Sequence, residues 1–543
     1  SRDIAILRTD FAYMNYGFKN GWSNFTNNYQ MHDTPFFWND LELQHNGYTY
    51  DYFSPMLLTD ADNVSWTSDA LQPDGPAYQA IMLYQEELEY EAAEKLLEIA
   101  KDGLPIVFVN HNTEYVDNAG TFAEHQVAAS KSRHTDHTDA ELQAVVAQIK
   151  ALPNVATVDS PADAMEQLQK MGVYARVSFT EPTNEVLTVS RNDAANDIYY
   201  TFAYAFKFAQ DDAADVNTVT LSVEGEGKPY RIDDWTGEVT ALGNYEFQDG
   251  RTLVTLTLNK GEAALLAFDM SGNTEGVHAV KSDAADVILE NGDVKLKLTE
   301  NGQYHTTLSD GTEVTTNVTL PDAIQLPTWD ITIEDWNEGE KMTNTEEKFG
   351  HTTTEVYYTT KKTEISFPAS ELKAWKDLPA TAEQLATLHT EAMSDVSGVG
   401  TYTTTFMLPD GWTAETPAML RIGSTNGSIV QVYVNDQAAG GVDTRDSVLD
   451  ITGLLTEGEN TVKVVLPTTL TNRLRVLGRG GVSANKPIQS YGMTGVVEVV
   501  PYALVSASDG VVLSLTGDAE VTMDVDTLTY TLTAAHTDKL ATA

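Results

Sequence analysis

Residues 1–175 alternate short apolar runs with segments of helical periodicity. Residues 3–7 (DIAIL) and 105–109 (PIVFV) are dominated by continuous apolar runs, which predict strands buried on both faces of a sheet. Residues 87–101 and 139–151 carry apolar positions at helical spacing. Gly103 is suited to end the first helix, and Thr138 to cap the second. Strands that alternate with helices predict a parallel α/β domain over residues 1–175.

From about Arg176 the apolar positions alternate with period two. The alternation is clear in residues 199–208, 218–223, 252–258 and 263–268, and glycine-rich turns separate these runs. Strands of this kind, joined by short turns, are typical of an all-β sandwich. We therefore predict a small β-sandwich over residues 176–271.

The β pattern continues to the end of the chain. Residues 272–325 are predicted to form a β linker or sandwich region, and residues 326–503 a jelly roll. Residues 504–543 are predicted to begin a further β module. The polar, Thr-rich segment 343–362 interrupts the pattern, and we predict that it is a long surface loop.

Charge and composition exclude several classes of protein. The 543 residues carry a formal net charge of −47, which repels nucleic acid and anionic membranes. No apolar run approaches the roughly 18 residues of a membrane span, so we expect no membrane insertion. There is no cysteine, which excludes disulfides and thiolate chemistry. An acidic, cysteine-free chain that starts at Ser1 suggests an excised or processed part of a bacterial secreted or cell-surface protein.

An ordered series of short segments carries a family resemblance. The segments are 2–7, 71–83 and 103–109, then 227–239 and 260–266, then 329–336, 397–406, 432–435, 457–462, 471–475 and 491–497. In this order they resemble the region that follows the catalytic barrel in glycoside hydrolase family 106, the α-L-rhamnosidase-type enzymes. The last group is also similar, more loosely, to family 2 enzymes.

The resemblance implies an amidotransferase-like, flavodoxin-like α/β domain, a small β domain and a galactose-binding-like jelly roll. It also implies that the catalytic carboxylates lie in a barrel upstream of residue 1, so no catalytic residue can be carried over to this chain. The expected function is that of an accessory C-terminal portion of a secreted glycoside hydrolase acting on rhamnose-containing or related polysaccharide. Its expected partners are a polysaccharide or oligosaccharide and a catalytic barrel domain or chain.

Two other functions remain open. The same domains are compatible with a non-catalytic carbohydrate-binding or cell-surface protein. The chain could also hold its own active site, which requires two carboxylates at a defined separation. Asp233 and Asp234, beside Trp235, are the leading pair for that reading. Neighbours on a strand point to opposite faces, however, and the string is also typical of a turn.

Sugar contacts are expected from aromatic rings and from polar side chains at one end of the jelly roll. Trp235 is the first candidate, followed by Trp329. Trp329 and Trp336 are an odd number of residues apart, so one of these two rings is expected in the core. On a strand, Arg473 and Arg475 would share a face, which suits either sugar contact or docking onto the barrel. The polar candidates are Asn426, Asn435, Asp443, Arg445, Asn472, Arg473 and Arg475.

Metal and amidotransferase chemistry have weaker sequence support. His125, His134 and His137 either form a metal cluster or precede a capped helix. The many carboxylates allow a structural calcium ion, although no EF-hand loop is present. No other cofactor is expected. Strand 106–109 is followed by Asn110, where amidotransferase chemistry needs a cysteine, so we expect a scaffold without glutaminase activity.

Overall fold

The computed structural model of the protein describes residues 1–8, 41–110, 127–133, 136–207, 212–442, 447–478, 481–482, 484–507, 513–517 and 530–534. The chain divides into two compact units. The first comprises Ser1–Lys281 with Leu289–Gly292, and the second comprises Ser282–Ile288 with Asp293–Ala543. The finer domain boundaries at residues 175, 271, 325 and 503 stay predictions.

The first unit begins with a parallel sheet whose strands alternate with helices. Its elements are β1 (Ile4–Leu7), α1 (Glu42–His45), β2 (Tyr50–Phe53), β3 (Ala80–Leu83), β4 (Glu87–Leu88), α2 (Tyr90–Lys101), β5 (Ile106–Val109), β6 (Lys131–Ser132), α3 (Asp139–Lys150), β7 (Val155–Val158) and α4 (Pro161–Lys170). Five strands pair in parallel in the order β2-β1-β3-β5-β7. The short strands β4 and β6 pair separately.

Helices cover both faces of this sheet, as the continuous apolar strands require. α2 and α3 pack on one face, against Phe108 and its neighbours, and α4 packs on the other, against Val107. Thr138 caps α3 by accepting a hydrogen bond from the Glu141 backbone N–H, which completes a capping box. The predicted strands and helices of residues 1–175 are confirmed, with α2 starting three residues later than expected.

The remainder of the first unit is a β-sandwich. Its strands are β8 (Val177–Phe179), β9 (Val186–Asp193), β10 (Ile198–Ala205), β11 (Val216–Glu224), β12 (Lys228–Ile232), β13 (Val239–Leu242), β14 (Glu246–Gln248), β15 (Arg251–Asn259) and β16 (Ala263–Asp269). One sheet has the order β14-β15-β11-β8, and the other contains β13-β12-β16-β10-β9 with β9 at its edge. The predicted sandwich is confirmed, and its core includes Leu221, Val254 and Leu266.

β17 (Ala279–Ser282) and β18 (Asp286–Glu290) lie where the two units meet in sequence. The second unit then contains β19 (Asp293–Leu298), β20 (Gly302–Leu308), β21 (Glu313–Val318), β22 (Ile324–Gln325), β23 (Trp329–Lys348), β24 (His351–Ser370), α5 (Ala382–Thr387), β25 (Gly398–Met407), β26 (Ala418–Arg421), β27 (Val430–Val434), β28 (Gln437–Val442), β29 (Val448–Asp450), β30 (Glu459–Pro467), α6 (Thr471–Leu477), β31 (Glu498–Pro501), β32 (Ala503–Ser506), β33 (Leu513–Gly517) and β34 (Tyr530–Ala534).

Two antiparallel sheets enclose the core of the second unit. Their orders are β22-β31-β26-β29 and β24-β23-β25-β30-β27-β28. Trp329, Trp375 and Tyr402 are among the largest side chains in this core. β33 and β34 form an antiparallel hairpin near the end of the chain.

The predicted loop at residues 343–362 is wrong. β23 and β24 pair along almost their whole length, from Trp329↔Ser370 to Lys348↔His351, and the outer half of this hairpin is exposed on both faces. Polar composition suggested a loop because no face of the outer half is buried. The β-branched threonines instead pair across the strands, as at Thr345↔Thr354, and the inner half anchors the ribbon in the core.

Candidate functional site

The first unit contains a cleft of about 810 Å³ beside the edge strand β9. The first residues of the chain, the loop before β3 and the outward face of the sandwich line it. The lining residues are Ser1, Arg2, Asp51, Gly75, Pro76, Val189, Ser190, Arg191, Asn192, Asp193, Tyr200, Phe202 and Leu265. The volume is that of an ordinary small-molecule site.

Hydrogen bonds hold the start of the chain against β9. The Ser1 ammonium donates to the carbonyl oxygen of Ser190 at 3.3 Å, and Arg2 Nη1 donates to the same oxygen at 3.2 Å. Arg2 Nε also donates to Asp51 Oδ1 at 3.2 Å. These contacts form one wall of the cleft.

The buried carboxylate of Asp3 fixes this wall to the sandwich. Asp3 is 2% exposed and accepts hydrogen bonds from the backbone and hydroxyl groups of Thr49, both at 2.8 Å, and from Gln79 Nε2 at 3.1 Å. The backbone N–H of Arg176 donates to Asp3 at 3.1 Å, while Arg176 Nη1 donates to the carbonyl oxygen of Arg2 at 2.7 Å. A carboxylate with this many donors is satisfied despite its burial.

The cleft combines aromatic and charged groups. Tyr200 and Phe202 contribute rings from the outward face of β10. Arg191 is exposed and has no hydrogen-bond or ion-pair partner within the described part of the chain. Asp51 is already bonded to Arg2 and accepts from the Tyr78 hydroxyl at 3.1 Å. Asp193, the other carboxylate that lines the cleft, accepts from Asn196 Nδ2 at 2.8 Å.

A general acid for glycoside hydrolysis needs a carboxyl group whose pKa is raised. In the described ranges, this holds for Glu89 and Asp335. Burial raises the pKa of Glu89, and the Arg133 charge opposes that shift. Burial raises the pKa of Asp335, and the hydrogen bond and charge of Arg473 oppose it. Neither carboxyl lines the cleft, and each lies beside an arginine, as in a structural ion pair.

Arg473 is held inside the two-sheet domain of the second unit and is not available to a sugar. It is 3% exposed, and its Nη2 donates to Asp335 Oδ2 at 2.7 Å. Ser397 joins the pair, because its backbone N–H donates to Asp335 Oδ1 and its hydroxyl accepts from the Arg473 backbone N–H. The expectation of a sugar contact at Arg473 is therefore corrected to an internal ion pair.

The arginines also do not share the face of a strand. They lie on α6, which ends at Gly478 in the left-handed conformation. Two positions two residues apart on a helix point in nearly opposite directions. Arg475 donates from Nη2 to Asp395 at 3.3 Å and from Nη1 to the Ala484 carbonyl oxygen at 3.2 Å, so its expected sugar contact is replaced by bonds within the chain.

Asn435 stabilises a hairpin turn. With Asp436 it forms the tip between β27 and β28, and both residues have positive φ, as a type I′ turn requires. Its side-chain amide donates to Leu454 O at 2.8 Å and Asn460 Oδ1 at 2.9 Å, and it accepts from the Thr461 backbone N–H at 2.9 Å. These bonds leave little capacity for the predicted sugar contact.

The two tryptophan candidates differ in exposure. Trp329 is 1% exposed and its Nε1 donates to the Leu326 carbonyl oxygen, so the sugar contact predicted for it is corrected to a core role. Trp235 is 44% exposed and remains a candidate. It lies in a turn that Asp233 closes, by accepting from the backbone N–H groups of Trp235 and Thr236. Burial acts to raise the pKa of Asp233, but these hydrogen bonds outweigh it and lower the pKa.

The structure describes only one of the three histidines of the predicted metal cluster, His137. His125 and His134 lie outside the described residues. His137 stacks on Tyr90 at 3.7 Å between ring centroids and precedes the capped helix α3. Within the described ranges, no three His, Asp or Glu side chains are grouped so that they could hold a metal ion, calcium included.

Asn110, at the carboxyl end of β5, bonds to its own chain. Its Nδ2 donates to Asp159 Oδ1 at 3.2 Å, and its Oδ1 accepts from the Ala128 backbone N–H at 3.0 Å. These bonds tie β5 to the segments that follow. Among the described helices, none is long and apolar enough to cross a membrane.

Sequence reasoning missed the cleft. Its wall depends on Asp3 and Arg176, which are far apart in sequence and carry no motif. A signal was present in the sandwich, because Tyr200, Phe202 and Tyr204 alternate with Tyr199 and the buried positions of the same strand. A strand that is apolar on both faces indicates a second covered or ligand-binding face.

No family model and no curated protein matches the chain. A rhamnosidase from Novosphingobium sp. PP1Y is similar in structure, with a TM-score of 0.51 and 17% identity over 84% of this chain and 36% of that one. The chain thus spans about a third of the length of that rhamnosidase. The likeness shows a shared multidomain, β-rich fold of the kind found in a glycoside hydrolase.

Two further solved structures match with TM-scores too low to support an argument. An exo-carrageenase from Bacteroides ovatus has a TM-score of 0.26 and 10% identity over 50% of this chain and 29% of that one. An α-L-fucosidase from Paenibacillus thiaminolyticus has a TM-score of 0.25 and 8% identity over 42% and 44% of the two chains.

Proposed function

We propose that this chain is the accessory C-terminal portion of a bacterial secreted glycoside hydrolase that resembles family 106. The enzyme would act on rhamnose-containing or related polysaccharide, with catalytic carboxylates on a barrel outside residues 1–543. The observation that carries this proposal is the fold likeness to a rhamnosidase along 84% of the chain. It is supported by the described carboxyl groups of raised pKa, which are held in arginine pairs away from the cleft.

The individual domains fit this proposal. The α/β part has its five main strands in the spatial order second, first, third, fourth, fifth, which is the order of flavodoxin-like sheets. Without cysteine, and with Asn110 bonded internally, we assign it a scaffold role in place of amidotransferase chemistry. We assign the two-sheet domain of the second unit to the galactose-binding-like jelly rolls.

The test is sugar release from aryl glycosides and pectic oligosaccharides. It compares residues 1–543 with the natural gene product that contains them, at equal molar concentration. We expect the natural gene product to release rhamnose or a related sugar, and residues 1–543 alone to release none. Turnover by residues 1–543 alone would contradict the accessory role and direct the search to a carboxylate pair within this chain.

A non-catalytic carbohydrate-binding protein is the second candidate, because the Trp235 ring is exposed at a rigid turn. An exposed indole suits stacking on a sugar ring. Two results together would favour this candidate: residues 1–543 bind glycans and lose that binding in Trp235→Ala, and the natural gene product shows no turnover. Trp235→Phe is the matched control, since it keeps an aromatic face.

A further inference from the structure

Five apolar side chains form a continuous row across the outward face of the sandwich in the first unit. Antiparallel register places Val189 opposite Phe202, Phe202 opposite Leu265, Leu265 opposite Ile232, and Ile232 opposite Val239. Residues directly opposite each other point to the same side of a sheet. We call these five residues the apolar row.

The apolar row faces away from the sandwich core. The neighbouring positions Ala203 and Leu266 are buried inside the sandwich, so alternate positions must point outward. Val189 is 47% exposed, Phe202 41% and Val239 57%. Large apolar side chains grouped on one face mark a surface that another molecule or domain covers.

The start of the chain lies at one end of this row. Ser1 and Arg2 both donate to the carbonyl oxygen of Ser190, which is the neighbour of Val189 on the edge strand β9. The cleft described above joins Ser1 to Val189, Phe202 and Leu265. In any longer polypeptide, the residue before Ser1 therefore begins at the rim of the apolar row.

The chemistry of the row favours a protein as its occupant. Sugar sites place hydrogen-bonding groups beside aromatic rings, whereas four of the five side chains in the row are aliphatic. A second copy of this chain would bring another formal charge of −47, and that repulsion opposes self-association. A domain tethered at Ser1 has a high effective concentration and covers the row without a second binding event.

We propose that the apolar row and the adjoining cleft form the surface on which the catalytic domain of the proposed enzyme packs. The polypeptide before Ser1 enters along the edge of β9. This inference rests on the proposed function, because it takes its occupant from the larger enzyme. It adds which face of the first unit that domain covers.

The first test is hydroxyl-radical footprinting of side chains. It compares residues 1–543 with the natural gene product, with an added reporter peptide to calibrate the radical dose. We expect the oxidation of Phe202 and Val189 to be several-fold lower in the natural gene product than in residues 1–543. Unchanged oxidation would overturn the proposal, and so would a mature protein whose N-terminus is Ser1.

The second test uses matched substitutions. Phe202→Asp places a charge in the row, and Val356→Asp places one at a similarly exposed apolar position on the outer half of the β23–β24 hairpin. We expect Phe202→Asp to lower the melting temperature of the natural gene product and to increase its proteolytic susceptibility. The same substitution should leave both properties of residues 1–543 nearly unchanged. Val356→Asp should change neither protein. Equal changes in melting temperature and proteolytic susceptibility for the two substitutions in the natural gene product would overturn the proposal.

Other outcomes identify other occupants and keep the two proposals separate. Sedimentation velocity that finds a dimer of residues 1–543, lost in Phe202→Asp, would assign the row to a second copy and overturn the inference. Sugar release is measured on the same samples. An active natural gene product with an exposed row refutes the inference and leaves the proposed function standing. A covered row without activity refutes the proposed function and, with it, the identity of the occupant.

Discussion

The outward face of the sandwich in the first unit and the interior of the two-sheet domain in the second unit are both exceptions to the rule that apolar side chains are buried and charged ones are exposed. In the first unit, Val189 and Phe202 are apolar and exposed. In the second unit, Asp335 and Arg473 are charged and buried. The buried charges bond to each other and to Ser397, and Arg473 Nε is buried without a hydrogen-bond partner among the described residues.

The difference teaches that residue type alone does not mark a functional site. Arginines near one end of the two-sheet domain suggested a sugar contact, but Arg473 and Arg475 each bond to a carboxylate of the same chain. The residues of the apolar row suggested only strands, but Val189, Phe202 and Val239 are exposed in the described part of the first unit. An unmet physical requirement is therefore a better guide to function than a reactive-looking side chain.

The largest effect is expected from breaking the buried ion pair. Arg473→Ala leaves the Asp335 charge buried without its partner, which costs about 3–5 kcal/mol. Chemical unfolding followed by hydrogen exchange in peptides of β23 and β30 measures this loss for the second unit. The double variant Arg473→Met with Asp335→Leu should recover much of the stability. A double variant as unstable as the single one would contradict a charge-based explanation.

A smaller effect is expected at the hairpin turn. Asn435→Ala removes three side-chain hydrogen bonds and places alanine at positive φ, so we expect a loss of about 1–3 kcal/mol. Asn435→Gly loses the same bonds but accepts the backbone conformation. The difference between the two variants, measured by thermal unfolding, separates backbone strain from hydrogen bonding. Equal losses would show that the side-chain bonds account for the whole effect.

A buried polar group in the first unit gives a pH-dependent effect. His278 is buried and stacks on Tyr245 at 3.9 Å, and burial lowers its pKa despite the opposing hydrogen bond with Gly276. The unfolded chain, with a histidine pKa of about 6.5, takes up a proton that the folded chain resists. The stability that neutral His278 contributes is therefore fully present above about pH 6.5. It falls as the pH drops from there through the lowered pKa of His278 in the folded chain.

The check compares melting temperatures of the first unit at about pH 7.5 and about pH 5.5. His278→Phe keeps a ring against Tyr245 and should reduce the difference between the two pH values. His351→Phe, at an exposed position of the outer hairpin, is the control and should leave that difference unchanged. A pH dependence that His278→Phe does not alter would assign it to other groups.

The smallest effect is expected at the apolar row itself. Phe202→Ser in residues 1–543 should lower the free energy of unfolding by about 1 kcal/mol or less, because the ring is 41% exposed and its neighbours lie on the same outward face. Leu266→Ala, on the inward face of the neighbouring strand, should cost about 2–5 kcal/mol. A large loss for Phe202→Ser would show that residues 1–543 already cover this face and would remove the contrast drawn above.

Local patterns predicted most of the regular elements. The strand predicted at residues 105–109 and the capped helix after Thr138 appear as β5 and α3, because their burial pattern and their end signals agree. The outer half of the β23–β24 hairpin and α6 were not predicted. Neither has a clear periodic signal: the hairpin is polar on both faces, and Arg473 and Arg475 alternate with Leu474 within one helix.

For the site candidates, the sequence could identify the residue types but not their surroundings. Trp235 is exposed, whereas Trp329 and Arg473 are buried, and neither outcome follows from the adjacent residues. The odd spacing of Trp329 and Trp336 correctly placed one ring in the core. It could not distinguish which one, because that depends on which face of β23 meets the opposite sheet.

The amino-acid sequence by itself determined the order of α/β and β regions, the absence of cysteine chemistry and the strongly acidic character. These follow from periodicity and composition, which are local or additive properties. Only the tertiary structure decided that Arg473 meets Asp335, that Asp3 meets Arg176, and that the five residues of the apolar row line up on one face. Those contacts join residues that are distant in the sequence, and the packing and strand register of the whole domain decide them.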